Sequence, residues 1–172
     1  MIRTLLPLVI IAFLSVFWQK DISLAQLSVA ASPADSIWGS SPGSFIALSV
    51  ANLERVVTWY CDTLGFHVFS IDTISNKTIR FALLQHGNAL IEFLQSLDAK
   101  PRVQVAPQTT DSYQIHGFFK SGFVIQDIDA AYHHMQSLGV NFEYKLIHPP
   151  NGPYRSFGLR DPEGNLLQFF GK

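Results

Sequence analysis

One pattern of secondary-structure signals occurs twice along this chain. The first copy contains a helix that begins after Asn52 and ends at Gly65, and the second contains one that begins after Asp127 and ends at Gly139. Asn and Asp are favoured at the N-cap of a helix, and Gly is favoured just after its last turn. The two caps lie 75 residues apart and the two glycines 74 residues apart. A fixed repeat of this kind is the sequence signature of a duplicated architecture.

Each copy also carries one strand before its helix and three strands after it. The predicted strands are 45–50, 66–71, 78–84 and 89–94 in the first copy, and 118–125, 140–147, 154–159 and 166–170 in the second. These are short apolar runs bounded by turn residues. One helix covers only one face of each sheet, so the other face must meet a partner or form the wall of a cavity. The predicted fold class is α+β, with two βαβββ modules in tandem that form curved mixed sheets around a cleft.

The start of the chain has the pattern of an export signal. Arg3 gives it a positive charge, residues 4–18 are uncharged, and residues 23–25 have the small-x-small pattern of a signal-peptidase site. The apolar run is shorter than the roughly 20 residues of a membrane-spanning helix. We therefore predict a signal peptide at 1–25 and a linker at 26–43, with export to the periplasm or the medium and no stable membrane span after cleavage. An uncleaved N-terminal anchor is the alternative.

The composition excludes some functions. The net charge is −1 and no Lys/Arg run occurs, so no nucleic-acid partner is expected. Cys61 is the single cysteine, which excludes an intrachain disulfide, and its place in a helix pattern indicates a small core residue. The chain contains 14 Phe and few charged residues, as expected of a buried core or an apolar pocket.

Three short segments resemble the vicinal oxygen chelate (VOC) superfamily. They are Phe-Ile-Ala-Leu-Ser-Val-x-Asn-Leu at 45–53, Trp-Tyr-x-x-x-Leu-Gly-Phe at 59–66, and Asp-Pro-Glu-Gly-Asn at 161–165. This superfamily includes glyoxalase I, extradiol dioxygenases, methylmalonyl-CoA epimerase and the fosfomycin- and bleomycin-resistance proteins. The resemblance implies a VOC domain over 44–172, with module one at 44–97, a connector at 98–115 and module two at 116–172. It does not fix the function, since one fold hosts many.

The resemblance also implies where a metal would be bound. Members that use a metal place a ligand on the first and last strand of each module, which in this chain gives Phe45, Glu92, Lys120 and Gln168. Carboxylates and imidazoles suit Zn, Ni, Mn or Fe. Only Glu92 is an ordinary ligand, because Phe45 has no donor atom, charged Lys120 has no lone pair, and Gln168 is a neutral replacement for the usual Glu. A divalent metal is therefore disfavoured, and no cofactor is expected.

The same four positions suggest a different site. If the fold brings them together, Lys120 places a positive charge where the superfamily keeps its metal, and Glu92 is its natural partner because a buried ammonium must be paired. Lys120 would attract an anionic or carbonyl oxygen of a ligand and Gln168 would add hydrogen bonds, while Glu92 could act as a base. The alternative is that the pair only closes the centre of the cleft. Strand alternation and turn position add four further candidates for the cleft wall: Ala47, Arg80, Tyr154 and Phe157.

Two functions remain open. The first is an exported protein that binds a small, partly apolar molecule, like the bleomycin-resistance proteins of the superfamily. The second is an enzyme, either a lyase or isomerase of the glyoxalase type or a dioxygenase, with an atypical metal or with Lys120 and Glu92 as catalytic residues. A structural or partner-binding domain is a third reading. The sequence leaves open whether the cleft lies within one chain or between the two chains of a homodimer.

Overall fold

The computed structural model describes residues 43–74, 78–150 and 152–172. The predicted signal peptide and almost all of the predicted linker lie outside these residues. Among the helices that are described, none is long and apolar enough to cross a membrane.

Module one is a four-stranded sheet with one helix. Its sheet has the order β1-β4-β3-β2, in which β1 is parallel to β4 and the other neighbours are antiparallel. Its elements are β1 (Ser44–Ser49), α1 (Leu53–Leu64), β2 (His67–Ile74), β3 (Ile79–His86) and β4 (Ala89–Ser96).

Module two repeats this order after a connector. The connector contains the short helix α2 (Arg102–Val105) and a 3₁₀ turn at Ser112–Gln114. The second sheet has the order β5-β8-β7-β6, with β5 parallel to β8. The duplication and the α+β fold class are thus confirmed. The elements of module two are β5 (Ser121–Val124), α3 (Ile128–Ser137), β6 (Phe142–Ile147), β7 (Arg155–Arg160) and β8 (Leu166–Gly171).

The predicted helix caps are present. The side chain of Asn52 accepts a hydrogen bond from the backbone N–H of Arg55, and Asp127 accepts one from Ala130, both at 2.9 Å. Gly65 ends α1 with a φ of 70°, a left-handed conformation that glycine adopts without strain. The caps therefore fix the bounds of both long helices, as the sequence predicted.

Strand β5 is shorter than predicted. It begins at Ser121, whereas the sequence pattern placed its start at Phe118. The reason lies in its single neighbour, β8, which begins at Leu166 directly after the turn 161–165 and pairs with β5 only from Leu167 onwards. Residues 118 and 119 consequently have no strand beside them, and Phe118 is 61% exposed. Lys120 therefore precedes the strand and is not part of it.

The two modules contact each other on the sides that carry their helices. Phe66, which follows α1, contacts Phe123 of β5 with ring centroids 5.8 Å apart. Buried residues from both modules form one continuous core. The sheet faces opposite the helices contribute none of these contacts.

The turn at 161–165 joins the modules. The carboxylate of Asp161 accepts hydrogen bonds from the backbone N–H groups of Glu163 and Asn165, which shape the turn, and from the buried hydroxyl of Tyr60 at 3.2 Å. Glu163 in turn accepts a bond from the backbone N–H of Ala51 and pairs with Arg55. A motif that is local in sequence thus makes the polar contacts between the two halves of the chain.

Candidate functional site

Each sheet has an open face, which we define as the face that its own helix does not cover. Successive residues of a strand point to opposite faces. In module one, Ile91 and Phe93 are buried beneath α1, so Glu92 lies on the open face. In module two, Leu167 and Phe169 are buried on the helix side, so Gln168 lies on the open face.

The open face of module one brings three of the predicted residues together. Ala47 on β1 pairs directly with Glu92 on β4, and Phe45 pairs with Leu90 two residues earlier. Phe45 is 60% exposed and Glu92 is half-buried. Leu83 lies on the other side of Glu92. Around Glu92 this face is thus apolar, with Ala47 and Leu83 on either side of the carboxylate.

The open face of module two is centred on Gln168, which stands between two glycines. Its register partners are Gly122 on β5 and Gly158 on β7. A Cβ on Gly122 would lie 2.2 Å from the backbone carbonyl oxygen of Gln168, so this close approach of the strands requires glycine. Gln168 is only 1% exposed, although it lies on the face that its helix does not cover.

Tyr144 covers Gln168. Its ring lies over Gly158, where an added Cβ would be 2.3 Å from the ring carbon Cε1. The Tyr144 hydroxyl thereby reaches Ser156 and Gln168, and we refer to Tyr144, Ser156 and Gln168 as the Tyr144 cluster. Gln168 Nε2 donates to Ser156 Oγ at the long distance of 3.4 Å. The hydroxyl of Tyr144 and the carbonyl oxygen Oε1 of Gln168 are buried with no hydrogen-bond partner.

The pKa of Tyr144 fits this environment. Burial of the hydroxyl raises the pKa to about 12, against the opposing effect of Ser156 and Gln168 beside it. Both neighbours are near enough to act on the phenol, yet neither meets the geometry of a hydrogen bond with it. The phenol therefore stays neutral at physiological pH.

Sequence reasoning missed Tyr144 and Ser156. Ser156 has a signal in the sequence, because it alternates with the apolar residues of β7. Tyr144 has none, because β6 pairs with β7 through register shifts on both sides of this residue. Strand alternation cannot assign a face to a residue beside such an irregularity.

Lys120 lies outside the sheet, directly before β5. It is solvent-exposed, with its Nζ 5.3 Å from the centre of the neighbouring Phe119 ring. Partial desolvation lowers the pKa of its ammonium. Within the described part of the chain, no ion pair or hydrogen bond joins Lys120 to Glu92. The predicted pair is therefore not formed in this structure, because β5 starts after Lys120 and leaves it outside the sheet.

Three other candidates lie away from the open faces or at their edge. Arg80 of β3 points to the helix side of its sheet and pairs with Glu54 of α1. Phe157 is fully buried on the helix side of β7, stacked on Phe169 with centroids 4.9 Å apart. Tyr154 is partly exposed just before β7. The structure thus does not bring Arg80 or Phe157 to the surface that carries Glu92 or Gln168.

The four positions implied for a metal do not form a fitting donor set. Phe45 and Lys120 offer no electron pair to a cation, and the one uncharged oxygen of Gln168 lies beneath Tyr144. Glu92 is the single anionic donor among the four. In the described residues no three His, Cys, Asp or Glu side chains come together as a metal site requires. We therefore derive no chemistry through a metal here.

Comparisons with known proteins agree on the fold. The family model described as "Glyoxalase/Bleomycin resistance protein/Dioxygenase superfamily" matches residues 44–169. The bleomycin resistance protein of Geobacillus stearothermophilus is 27% identical over 130 residues, which covers 74% of this chain and 94% of that protein. The uncharacterized protein YraH of Bacillus subtilis is 26% identical over 125 residues, covering 73% of this chain and 94% of that protein.

Solved structures give the same result at lower sequence identity. A glyoxalase family protein from Enterococcus faecalis superposes with a TM-score of 0.61 at 19% identity, covering 78% of this chain and 98% of that one. A glyoxylase/bleomycin resistance protein/dioxygenase domain from Frankia sp. EAN1pec gives a TM-score of 0.61 at 16% identity, covering 77% of this chain and 92% of that one. At this level of identity the likeness concerns the fold alone.

Proposed function

This chain belongs to the glyoxalase/bleomycin resistance protein/dioxygenase superfamily, and we propose that it is a metal-independent protein that binds a small, partly apolar molecule on its open faces. One observation carries the proposal. Where a metal-using member would direct a carboxylate at a cation, this chain has the uncharged Gln168 beneath Tyr144. That position can make hydrogen bonds to a ligand, and as a neutral donor it would bind a metal ion more weakly than a carboxylate would.

The open face of module one supports binding of an apolar ligand group. Phe45 is largely exposed beside Ala47, and Leu90 and Glu92 continue the same face on the adjacent strand. Small-molecule sites combine an apolar wall with a few polar groups that orient the ligand. Here the wall would hold the apolar part of the ligand, and Glu92 would orient a polar group.

Lys120 is the second polar group that we assign to binding. Partial desolvation lowers the pKa of its ammonium, and within the described residues no carboxylate pairs with it. An anionic or carbonyl oxygen of a ligand would supply the missing partner. Lys120 thus favours ligands that carry such an oxygen next to an apolar group.

We further propose that the open faces are closed by a second copy of the chain. The contacts between the two modules that we describe lie on their helix sides, and among the described residues none covers the apolar open face of module one. A homodimer would place another open face against it and complete the cleft. Export through the predicted signal peptide remains part of the proposal.

The proposal is tested with an apolar anion. The full-length chain is titrated with 8-anilinonaphthalene-1-sulfonate, whose fluorescence rises in an apolar site, in the presence of a chelator. We expect saturable binding that Lys120→Met weakens several-fold. The matched control is Lys145→Met, which removes an exposed lysine of β6. No saturable binding by the wild-type chain would contradict the proposed function, and equal affinity of both variants would remove Lys120 from the site.

A further inference from the structure

We propose that the Tyr144 cluster is a hydrogen-bonding subsite that takes an uncharged carboxamide group of the ligand. This inference rests on the proposed function, because it names the chemistry of one part of the bound molecule. It concerns the open face of module two, whereas Phe45, Glu92 and Ala47 lie on that of module one.

Two buried polar atoms carry the inference. Gln168 is 1% exposed and its Oε1 accepts no hydrogen bond, and the hydroxyl of Tyr144 beside it is also unpartnered. Most buried polar atoms in folded proteins are hydrogen-bonded, because leaving one unpaired is costly. Two such atoms close to each other, on strands β6 and β8, indicate a site that a further polar group completes.

A ligand could reach the Tyr144 cluster from the side of Gly122. Gly122 next to Gln168 is exposed and has no side chain that could block an incoming group. Tyr144 lies on the edge strand β6, whose register shifts both before and after this residue. A ligand group can therefore approach the cluster over Gly122, from the side of Gln168 opposite the Tyr144 ring.

A carboxamide matches both orphaned atoms. Its N–H can donate to Gln168 Oε1, and its carbonyl can accept from the Tyr144 hydroxyl, which is protonated at neutral pH. A carboxylate has no hydrogen to donate to Oε1. An ammonium would bring a buried charge, and the nearby Glu143 is already bound to Arg160 through both of its oxygens. The cluster thus selects against charged groups of either sign.

The test compares two probes of the same shape. Benzamide and benzoate are titrated into the isotope-labelled full-length chain, and the backbone amide of Gly122 and the side-chain amide of Gln168 are followed by NMR. We expect benzamide to shift both resonances in a saturable way, whereas benzoate, which can bind at Lys120, should shift these two resonances only at concentrations at least about tenfold higher. Equal concentration dependence of the Gly122 and Gln168 shifts for the two probes, or benzamide binding that leaves Gly122 and Gln168 unaffected, would overturn the inference.

Variants provide an independent measurement. Gln168→Met and Tyr144→Phe each remove one orphaned atom while keeping the shape of the side chain, so each should weaken benzamide binding several-fold. Tyr113→Phe, which alters an exposed tyrosine of the connector, should leave it unchanged. If a variant fails to fold, the comparison of probes on the wild-type chain decides. If the wild-type chain binds the anilinonaphthalene probe but shows no preference for benzamide over benzoate, the subsite alone is rejected. If it binds neither the anilinonaphthalene probe nor benzamide, the proposed function is rejected as well.

Discussion

At the scale of single residues, Asp161 is the most connected polar side chain of the structure that we describe. Its carboxylate is almost fully buried and accepts bonds from its own turn and from Tyr60 of the other module. A buried carboxylate is stable only when such donors satisfy it. The Asp-Pro-x-Gly-Asn motif, which the sequence identifies as a turn, therefore also joins the modules, and that second role depends on residues about 100 positions away.

Tyr60→Phe should destabilise the protein without changing its fold. Burial and the adjacent Asp161 raise the pKa of Tyr60, so its hydroxyl remains a donor to the carboxylate throughout the neutral range. Its removal leaves Asp161 short of one hydrogen bond, at a cost of about 1–3 kcal/mol in the free energy of unfolding. Denaturant unfolding at pH 7 measures this cost. Tyr113→Phe serves as the exposed control, and an equal effect of both substitutions would show that the inter-module bond contributes nothing.

Glu163 should make stability depend on pH. Burial raises its pKa, but the Ala51 N–H and Arg55 more than offset this, so the pKa lies below the usual 4.5. A carboxyl with a depressed pKa stabilises the fold above its unfolded pKa, and this stabilisation is lost as the pH falls through the folded value. Glu163→Gln should therefore cost roughly 0.5–1.5 kcal/mol at pH 7 and progressively less below about pH 4.5.

The measurement for Glu163 is denaturant unfolding of wild type and variant from pH 7 to pH 3. Asp98→Asn, in the exposed part of the connector, is the control. A difference between wild type and Glu163→Gln that stays constant down to pH 3 would contradict the assigned role.

At the scale of elements, strand alternation gave correct faces where strands pair regularly. It placed Phe45 and Ala47 on one face, as the structure has them. It also assigned Arg80 to the cleft wall, but Arg80 shares a face with the buried Ala82, and that face is the one covered by α1. Alternation therefore shows which residues of a strand share a face. Whether that face is covered by the helix or open depends on tertiary packing, which cannot be read from a single sequence.

Gly122→Ala tests the pairing of β5 with β8. The added methyl would meet the backbone carbonyl of Gln168, which cannot rotate away as a side chain could. We expect a loss of about 2–4 kcal/mol in the free energy of unfolding. Val124→Ala on the same strand is the control, since this side chain is 78% exposed and should cost less than about 1 kcal/mol. Equal stabilities of the two variants would contradict the close approach of the strands.

At the scale of the whole molecule, the repeat of helix caps was enough to predict two βαβββ modules, because caps and turns are local signals. The first residue of β5 and the position of Tyr144 over Gln168 could not be predicted from the sequence. The first depends on where the neighbouring strand β8 begins, and the second on the bulged path of β6. The sequence therefore predicted Gln168 as a site residue. It did not predict Tyr144, which covers the side chain of Gln168.

A homodimer is the expected state of the full chain. The exposed Phe45 would lie in the interface, because no other residue of 43–74, 78–150 or 152–172 covers its face. Sedimentation should report about twice the chain mass of 19.2 kDa, and Phe45→Glu should shift the equilibrium towards the single chain. A wild-type chain that remains single at all accessible concentrations would contradict the proposed closure of the cleft.

The most direct test of the central claim is a calorimetric titration of the full-length chain with 8-anilinonaphthalene-1-sulfonate, first in chelator and then, without chelator, with Zn, Ni, Mn or Fe supplied. This probe combines an apolar ring system with an anionic oxygen group, as the proposed ligand class does. The account predicts saturable binding whose affinity is the same in chelator as with any of the four metals. Binding that appears only when a metal is present would contradict metal-independent binding through Glu92, Lys120 and Gln168.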